Sequence, residues 1–240
     1  MNKLLIGTSG YDYPDWKGIF YPQDMKRDDF LSYYATQFNG LELNNTFYSV
    51  PSREKIASYI DRTEGKVSFC IKATKIFTHE IVKDWKDKAM YFCAAIVQLK
   101  EKGVLSSLLF QLPESFGYTS ENRIYLANLL EYFKHFYPVV EFRNKDWVKE
   151  SVFEGIKKLG ASVVFCAMPR LIKTENGFES QFIGNMAYAR LHPTYSLSQI
   201  RDFVRIIECV KEEKKNMQVY FNNTQDGLKG AIYLRNIVFS

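Results

Sequence analysis

Eight short runs rich in β-branched and aromatic residues recur along the chain, and each is followed by a longer stretch with helical spacing. The runs are KLLIGT (3–8), GLELN (40–44), KVSFCIK (66–72), LSSLLFQL (105–112), PVVEF (138–142), SVVFCA (162–167), MAYARL (186–191) and MQVYF (217–221). Most are almost continuously apolar, which is the pattern of parallel strands covered on both faces. Between them, Phe30, Tyr33, Tyr34 and Phe38 fall at helical spacing within 27–38. Ser52 stands as an N-cap for 52–60, and Gly103 closes a long segment over 86–103. Further helices are expected over 120–136 with a serine cap, 148–160, 196–215 and 227–239. Segment 168–185 contains Pro169, Gly177 and Gly184 without periodicity and reads as a loop with room for one short helix. Strands alternating with helices predict an α/β fold, a single (β/α)8 TIM barrel spanning 1–240, with an irregular connection between strands six and seven. An open doubly wound sheet is the alternative, and it has no need of eight similar strands.

Composition narrows the function classes. The net charge is +5 and is not gathered into a block. A nucleic-acid groove is therefore not required, although nucleic acid is not excluded. VKEEKKN (210–216) alternates in sign and reads as a solvated helix end. Cys70, Cys93, Cys166 and Cys209 are widely spaced in apolar contexts, as buried free thiols of a cytoplasmic protein would be. The N-terminus has too few apolar residues for a secretory signal, and no run approaches the ~18 of a membrane span.

In a barrel the C-terminal ends of the strands share one mouth, from which catalytic residues come. Here those ends carry Ser9, Glu42 and Asn44, Lys72, Gln111, Glu141 and Arg143, Arg190 and His192, and Asn222 and Asn223. The opposite ends carry Lys3, Gly40, Lys66, Pro138 and Met217. A carboxylate inside an apolar strand must be paired or it loses its charge. Glu42 and Glu141 have candidate partners in Lys72, Arg143 and Arg190. Two acids against three bases make a mouth suited to an anionic or strongly polar ligand.

The stretch LELNNTFYSVP (41–51) sets Glu42, Asn44, Thr46 and Tyr48 along one expected pocket wall. Glu42, Glu141, Lys72 and His192 are the candidate catalytic groups, two carboxylates in different surroundings being able to divide acid and base roles. Lys72 is alternatively a Schiff-base nucleophile, or an ion-pair partner of a glutamate. Ser9, Tyr11, Trp16, Asn44, Thr46, Tyr48, His79, Gln111, Arg143, Trp147, Arg190, Asn222 and Asn223 are the candidate ligand-binding residues. The aromatics among them, with Tyr13, Phe47 and Tyr195, are either walls that stack on a sugar or base, or lids over the rim. His135, in EYFKHF, is expected at the surface. No metal-ligand spacing is present, and the nearby cations would repel a metal.

The motifs IGTSGYDYPDW, FYP, LELNNTFYSVP, IKATKIFTH, LLFQLPESF, VEFRNKDW, YARLHPTYS and VYFNN, in this order, resemble the DUF72 family of uncharacterised proteins, also called YecE-like. The resemblance runs from about residue 6 to the C-terminus. It implies a TIM barrel, a distant relation to sugar-isomerase-like barrels, and no assigned activity. The family pattern has histidine after EFR, where this chain has Asn144, and glycine after RLH, where it has Pro193. The functional expectation is a metal-independent cytoplasmic enzyme, without a cofactor, acting on a small polar or anionic metabolite by acid–base chemistry. The alternatives are a non-catalytic module for a nucleotide or nucleic-acid end, and a divalent-metal-dependent hydrolase or isomerase. Oligomeric state is not legible.

Overall fold

The protein is seen in a computed structural model that describes residues 3–168, 171–175, 177–192 and 194–239. In chain order the elements are β1 (Leu4–Ser9), α1 (Phe30–Gln37), β2 (Gly40–Leu43), α2 (Arg53–Thr63), β3 (Ser68–Lys72) and α3 (Trp85–Glu101). Then come β4 (Leu105–Leu112), α4 (Ser120–Tyr132), β5 (Pro138–Phe142), α5 (Glu150–Lys158) and β6 (Ser162–Phe165). The chain finishes with β7 (Leu171–Thr174), β8 (Gly177–Ser180), β9 (Met186–Leu191), α6 (Leu197–Glu212), β10 (Asn216–Phe221) and α7 (Gln225–Phe239).

Eight strands close into a barrel in the order β1-β10-β9-β6-β5-β4-β3-β2, and every neighbouring pair is parallel. Each barrel strand lies within two residues of the corresponding apolar run. Period-two alternation then separates two cores. Ile6, Phe69, Phe110 and Phe221 face outward and are buried against the helices. Removing one such side chain from water contributes about 1.5–3 kcal/mol. Cys70, Leu109, Val139, Val164, Tyr188 and Tyr220 form a second cluster that fills the barrel interior. Gly40 makes room for it, since a Cβ there would stand 3.1 Å from Leu5 Cβ and 3.3 Å from the Tyr220 ring.

Capping follows local chemistry. Ser52 accepts a hydrogen bond from Lys55 N, and Ser196 forms a capping box with Gln199. Before α4, Thr119 rather than Ser120 is the cap, accepting from Asn122 N. The segment expected to be a loop with room for a short helix is instead an antiparallel hairpin, β7 against β8. It occupies the place of a helix between β6 and β9. It is clasped by α6 and the residues just beyond it, with Ser180 Oγ donating to Glu213 at 3.0 Å. Lys215 Nζ donates to Phe182 O nearby. The charged stretch read as a solvated helix end therefore has a docking task that alternating charge does not reveal. Pro193, where the family pattern has glycine, lies outside the described residues.

Candidate active site at the barrel mouth

On the inner wall, register sets Ser9 opposite Glu42 and Gln111 opposite Glu141. Glu42, Glu141 and Arg190 are buried, the two carboxylates completely. Arg190 joins them: Nη2 donates to Glu42 Oε1 at 2.9 Å and Nη1 donates to Glu141 Oε2. Unpaired, each buried charge would cost several kcal/mol, so the three groups exist inside the barrel only as a set.

Glu42 has a complete shell. Ser9 Oγ donates to Oε1 at 2.7 Å, and the Tyr188 hydroxyl donates to Oε2 at 2.8 Å. Burial alone would raise its pKa. The Arg190 charge, then His192 and the two hydroxyls, override burial and bring it down to about 2. Glu42 is thus a fixed anion that orients its neighbours. Glu141 differs. Arg143 Nε lies 2.6 Å from its Oε1, yet that oxygen has no aligned hydrogen-bond donor. The contact is a close ion pair with poor directionality, made by a side chain that is 44% exposed.

The shell also decides a tautomer. Ser9 Oγ is 3.2 Å from His192 Nε2. The ionised Glu42 can only accept, so the one hydroxyl hydrogen of Ser9 is directed to it. Ser9 must then accept from His192, which places the imidazole hydrogen on Nε2 and leaves a lone pair on Nδ1. Burial, and then the Arg190 charge, depress the His192 pKa to about 4, so the ring is neutral near pH 7.

Lys72 ends β3 on the same inner face. Its ammonium group lies 4.4 Å from the centroid of the Phe47 ring, and among the described ion pairs it has no carboxylate partner. The ion-pair alternative for Lys72 is therefore not the arrangement seen. Burial, then Arg190, lower its pKa. His79 meets Phe47 edge-on at 4.9 Å, with its Nδ1 2.9 Å from Thr78 Oγ1.

The remaining candidates divide between surface and scaffold. Asn44 lines a cleft of about 270 Å³ together with Tyr11, Asn45, Lys55 and Tyr59, and its buried Oδ1 has no partner. Thr46 has its hydroxyl engaged with the Leu43 and Lys72 carbonyls, at 2.9 and 2.6 Å. Tyr48 is 76% exposed. Trp16 is wholly buried and donates Nε1–H to the Asn223 carbonyl at 3.2 Å. Trp147 is buried between Phe116 and Phe142, stacked 5.4 and 5.0 Å from them, and donates to the Phe116 carbonyl. Both tryptophans are lids and present no face for a ligand to stack on. The Tyr195 hydroxyl accepts from Met168 N at 2.9 Å. Asn222 Nδ2 donates to the His192 carbonyl, steadying that residue, while its Oδ1 accepts from Thr224 at 2.7 Å. Asn144 caps the turn Lys145–Trp147 and donates to Glu114 O at 2.8 Å. That gives the departure from the family histidine a structural task. His135 is exposed.

Two participants escaped the sequence reading. Tyr188 precedes Arg190 by two positions and so shares its face, a signal that was available. Cys166 follows Val164 in the same way. Burial, then the Glu141 charge, push the Cys166 thiol up. All four cysteines are unpaired, but Cys93 and Cys166 are only partly buried. Among the described residues no three histidine, cysteine, aspartate or glutamate side chains gather as a metal would require, and no helix is long and apolar enough to cross a membrane. A larger hollow, of about 660 Å³, lies against Gln37–Asn39, Lys66 and Arg235, at the end of the barrel where strands begin. Size alone therefore does not select the site.

Comparison with known proteins agrees with the barrel. A protein from Thermotoga maritima, TM1631, described as a DUF72 family protein, has a crystal structure that superposes with a TM-score of 0.79 at 26% identity, over 99% of this chain and 100% of that one. The Enterococcus faecalis DUF72 family protein EF0366 superposes equally well at 18% identity, over 100% and 99% of the two chains, a likeness of fold alone. UPF0759 protein YunF of Bacillus subtilis is 22% identical, over 93% of this chain and 90% of its own length. The family model described as "Protein of unknown function DUF72" matches residues 5–237, and the chain belongs to that family.

Proposed function

We propose that the barrel mouth binds a small polar or anionic metabolite, carbohydrate- or phosphate-like, and acts on it by acid–base chemistry. One observation carries the reading. Two buried carboxylates face three cationic side chains, and the two guanidiniums already engage them, so Lys72 is left as the excess positive charge. An incoming anion would meet Lys72 and the exposed side of Arg143 without first breaking the Glu42–Arg190–Glu141 set. The neutral His192, with its lone pair on Nδ1, supplies a proton acceptor at the same rim. Gln111, one position before the end of its strand, adds an amide. The four unpaired thiols suit a reducing cytoplasm.

Calorimetric titration of inorganic phosphate, phosphorylated sugars and their neutral counterparts into wild type and Arg143→Ala tests this. Anions should bind, and should weaken at least about tenfold in the variant, some 1.4 kcal/mol. Equal binding of neutral and anionic sugars, or no binding of any, would overturn the reading.

A further inference from the structure

We propose that Lys72 is a nucleophile that forms an imine with a small aldehyde or ketone bearing a carboxylate or phosphate. The proposal rests on the anion-site reading above and names the substrate class of that site. Of the three mouth cations, Arg143 and Arg190 each contact a carboxylate, while the Lys72 amine faces an aromatic ring. The seat is rigid. Phe47 ends the turn Asn45–Phe47, which is tied to β3 by Thr46 Oγ1 donating to the Lys72 carbonyl at 2.6 Å, and Thr74 Oγ1 donates to the Phe47 carbonyl at 3.2 Å. An amine held over an apolar face, at the end of an inner strand, is positioned rather than solvated.

The charged surroundings divide. Arg190 from β9 and Arg143 beyond β5 disfavour a proton on Lys72, while Glu42 from β2 and Glu141 from β5 oppose them. Both carboxylates are already engaged by guanidiniums, and burial, the largest influence, leaves the balance on the side of the neutral amine, which is how a lysine is activated for carbonyl chemistry. His79, edge-on to the same Phe47 ring, stands beside the amine, and Lys72 and His79 influence one another electrostatically.

The bonds balance without an oxidant or reductant. The lone pair of neutral Nζ attacks the carbonyl carbon, a C–N bond forms, and the C=O π pair moves to oxygen, which takes a proton. The nitrogen releases one proton to a neighbouring base, a role for His79 on the edge of the same Phe47 ring. The carbinolamine hydroxyl then takes a proton and leaves as water as the C=N bond forms. Arg143 is placed to receive the carboxylate or phosphate of the same molecule.

The test is reductive trapping. Wild-type protein is incubated with pyruvate, glycolaldehyde phosphate or neutral glycolaldehyde in the presence of borohydride, followed by intact mass and peptide mapping. A single adduct at Lys72 is expected with the anionic carbonyls, formed at least about tenfold faster than with glycolaldehyde and lost in Lys72→Arg. Pyruvate against glycolaldehyde phosphate distinguishes a carboxylate from a phosphate. If Lys72→Arg fails to fold, protection of wild-type Lys72 from labelling by inorganic phosphate replaces it. Labelling spread over surface lysines, and unchanged by the variant or by phosphate, would overturn the proposal. Labelling of Lys72 at equal rates by neutral and anionic carbonyls would keep the imine and remove the anion site. Phosphate that raises the unfolding temperature of wild type but not of Arg143→Ala, without any label on Lys72, would keep the anion site and remove the imine.

Discussion

Arg190 and Glu42 are 148 positions apart in the chain, yet their side chains meet at 2.9 Å in the barrel interior, both buried from water. Each is the main reason the other can be ionised there. The consequences reach stability, pH response and the geometry of the rim.

Breaking the set should be costly. Arg190→Ala removes the cation that two buried carboxylates share and leaves Glu42 without one, and a loss of about 3–5 kcal/mol is expected. Converting the site to Arg190→Met with Glu42→Gln and Glu141→Gln should recover much of that loss, because no charge then remains buried. Urea unfolding of the single and triple variants measures both.

Tyr188→Phe should cost less, about 1–3 kcal/mol, since one oxygen of Glu42 loses its hydroxyl donor while Arg190 and Ser9 stay on the other. Thermal unfolding of the variant at pH 7 reports it. A change within a few tenths of a kcal/mol would show that Glu42 Oε2 finds another donor.

Stability should fall as pH falls, in two windows. His192 has an ordinary pKa of 6.5 and about 4 in the folded chain, so the unfolded chain holds more protons between these values. Glu42 behaves alike between 4.5 and about 2, its contribution being complete above the upper value and lost as pH drops through the lower. Urea midpoints taken from pH 7 to pH 3 should therefore decline throughout. His192→Gln should flatten the upper window while leaving the lower one.

Gly227, in the first turn of α7, has a backbone reason for lacking a side chain. A Cβ there would lie 1.8 Å from Asn222 Oδ1 and 2.4 Å from the Asn222 carbonyl. Gly227→Ala should destabilise by about 1–3 kcal/mol through displacement of that turn. Because Asn222 also donates to the His192 carbonyl, the His192 ring resonances should shift in proton NMR spectra. Unmoved His192 resonances in a destabilised variant would separate the turn from the rim.

Much of this was legible from residue order. Apolar runs with β-branched and aromatic residues marked every barrel strand, because a parallel strand covered on both faces has little choice of composition. Polar residues concentrated at one end of those runs marked the mouth. The hairpin β7–β8 was not legible, since its four-residue strands are packed by α6 and the chain after it, with Glu213 and Cys209 approaching from thirty or so positions away. Tyr188 was hidden among apolar neighbours, its hydroxyl counting for nothing until a partner was in view.

Sequence by itself determined the alternation of strands and helices that makes a parallel α/β barrel, and which strand ends carry the polar groups, because strand composition is a local property. Only the tertiary structure decided that Arg190 bridges both glutamates, that Lys72 rests on Phe47 instead, and that Trp16 and Trp147 are scaffold. Those outcomes depend on strand register and side-chain reach across the barrel, and pairing between buried charges is set by distance in space, which spacing along a chain does not encode.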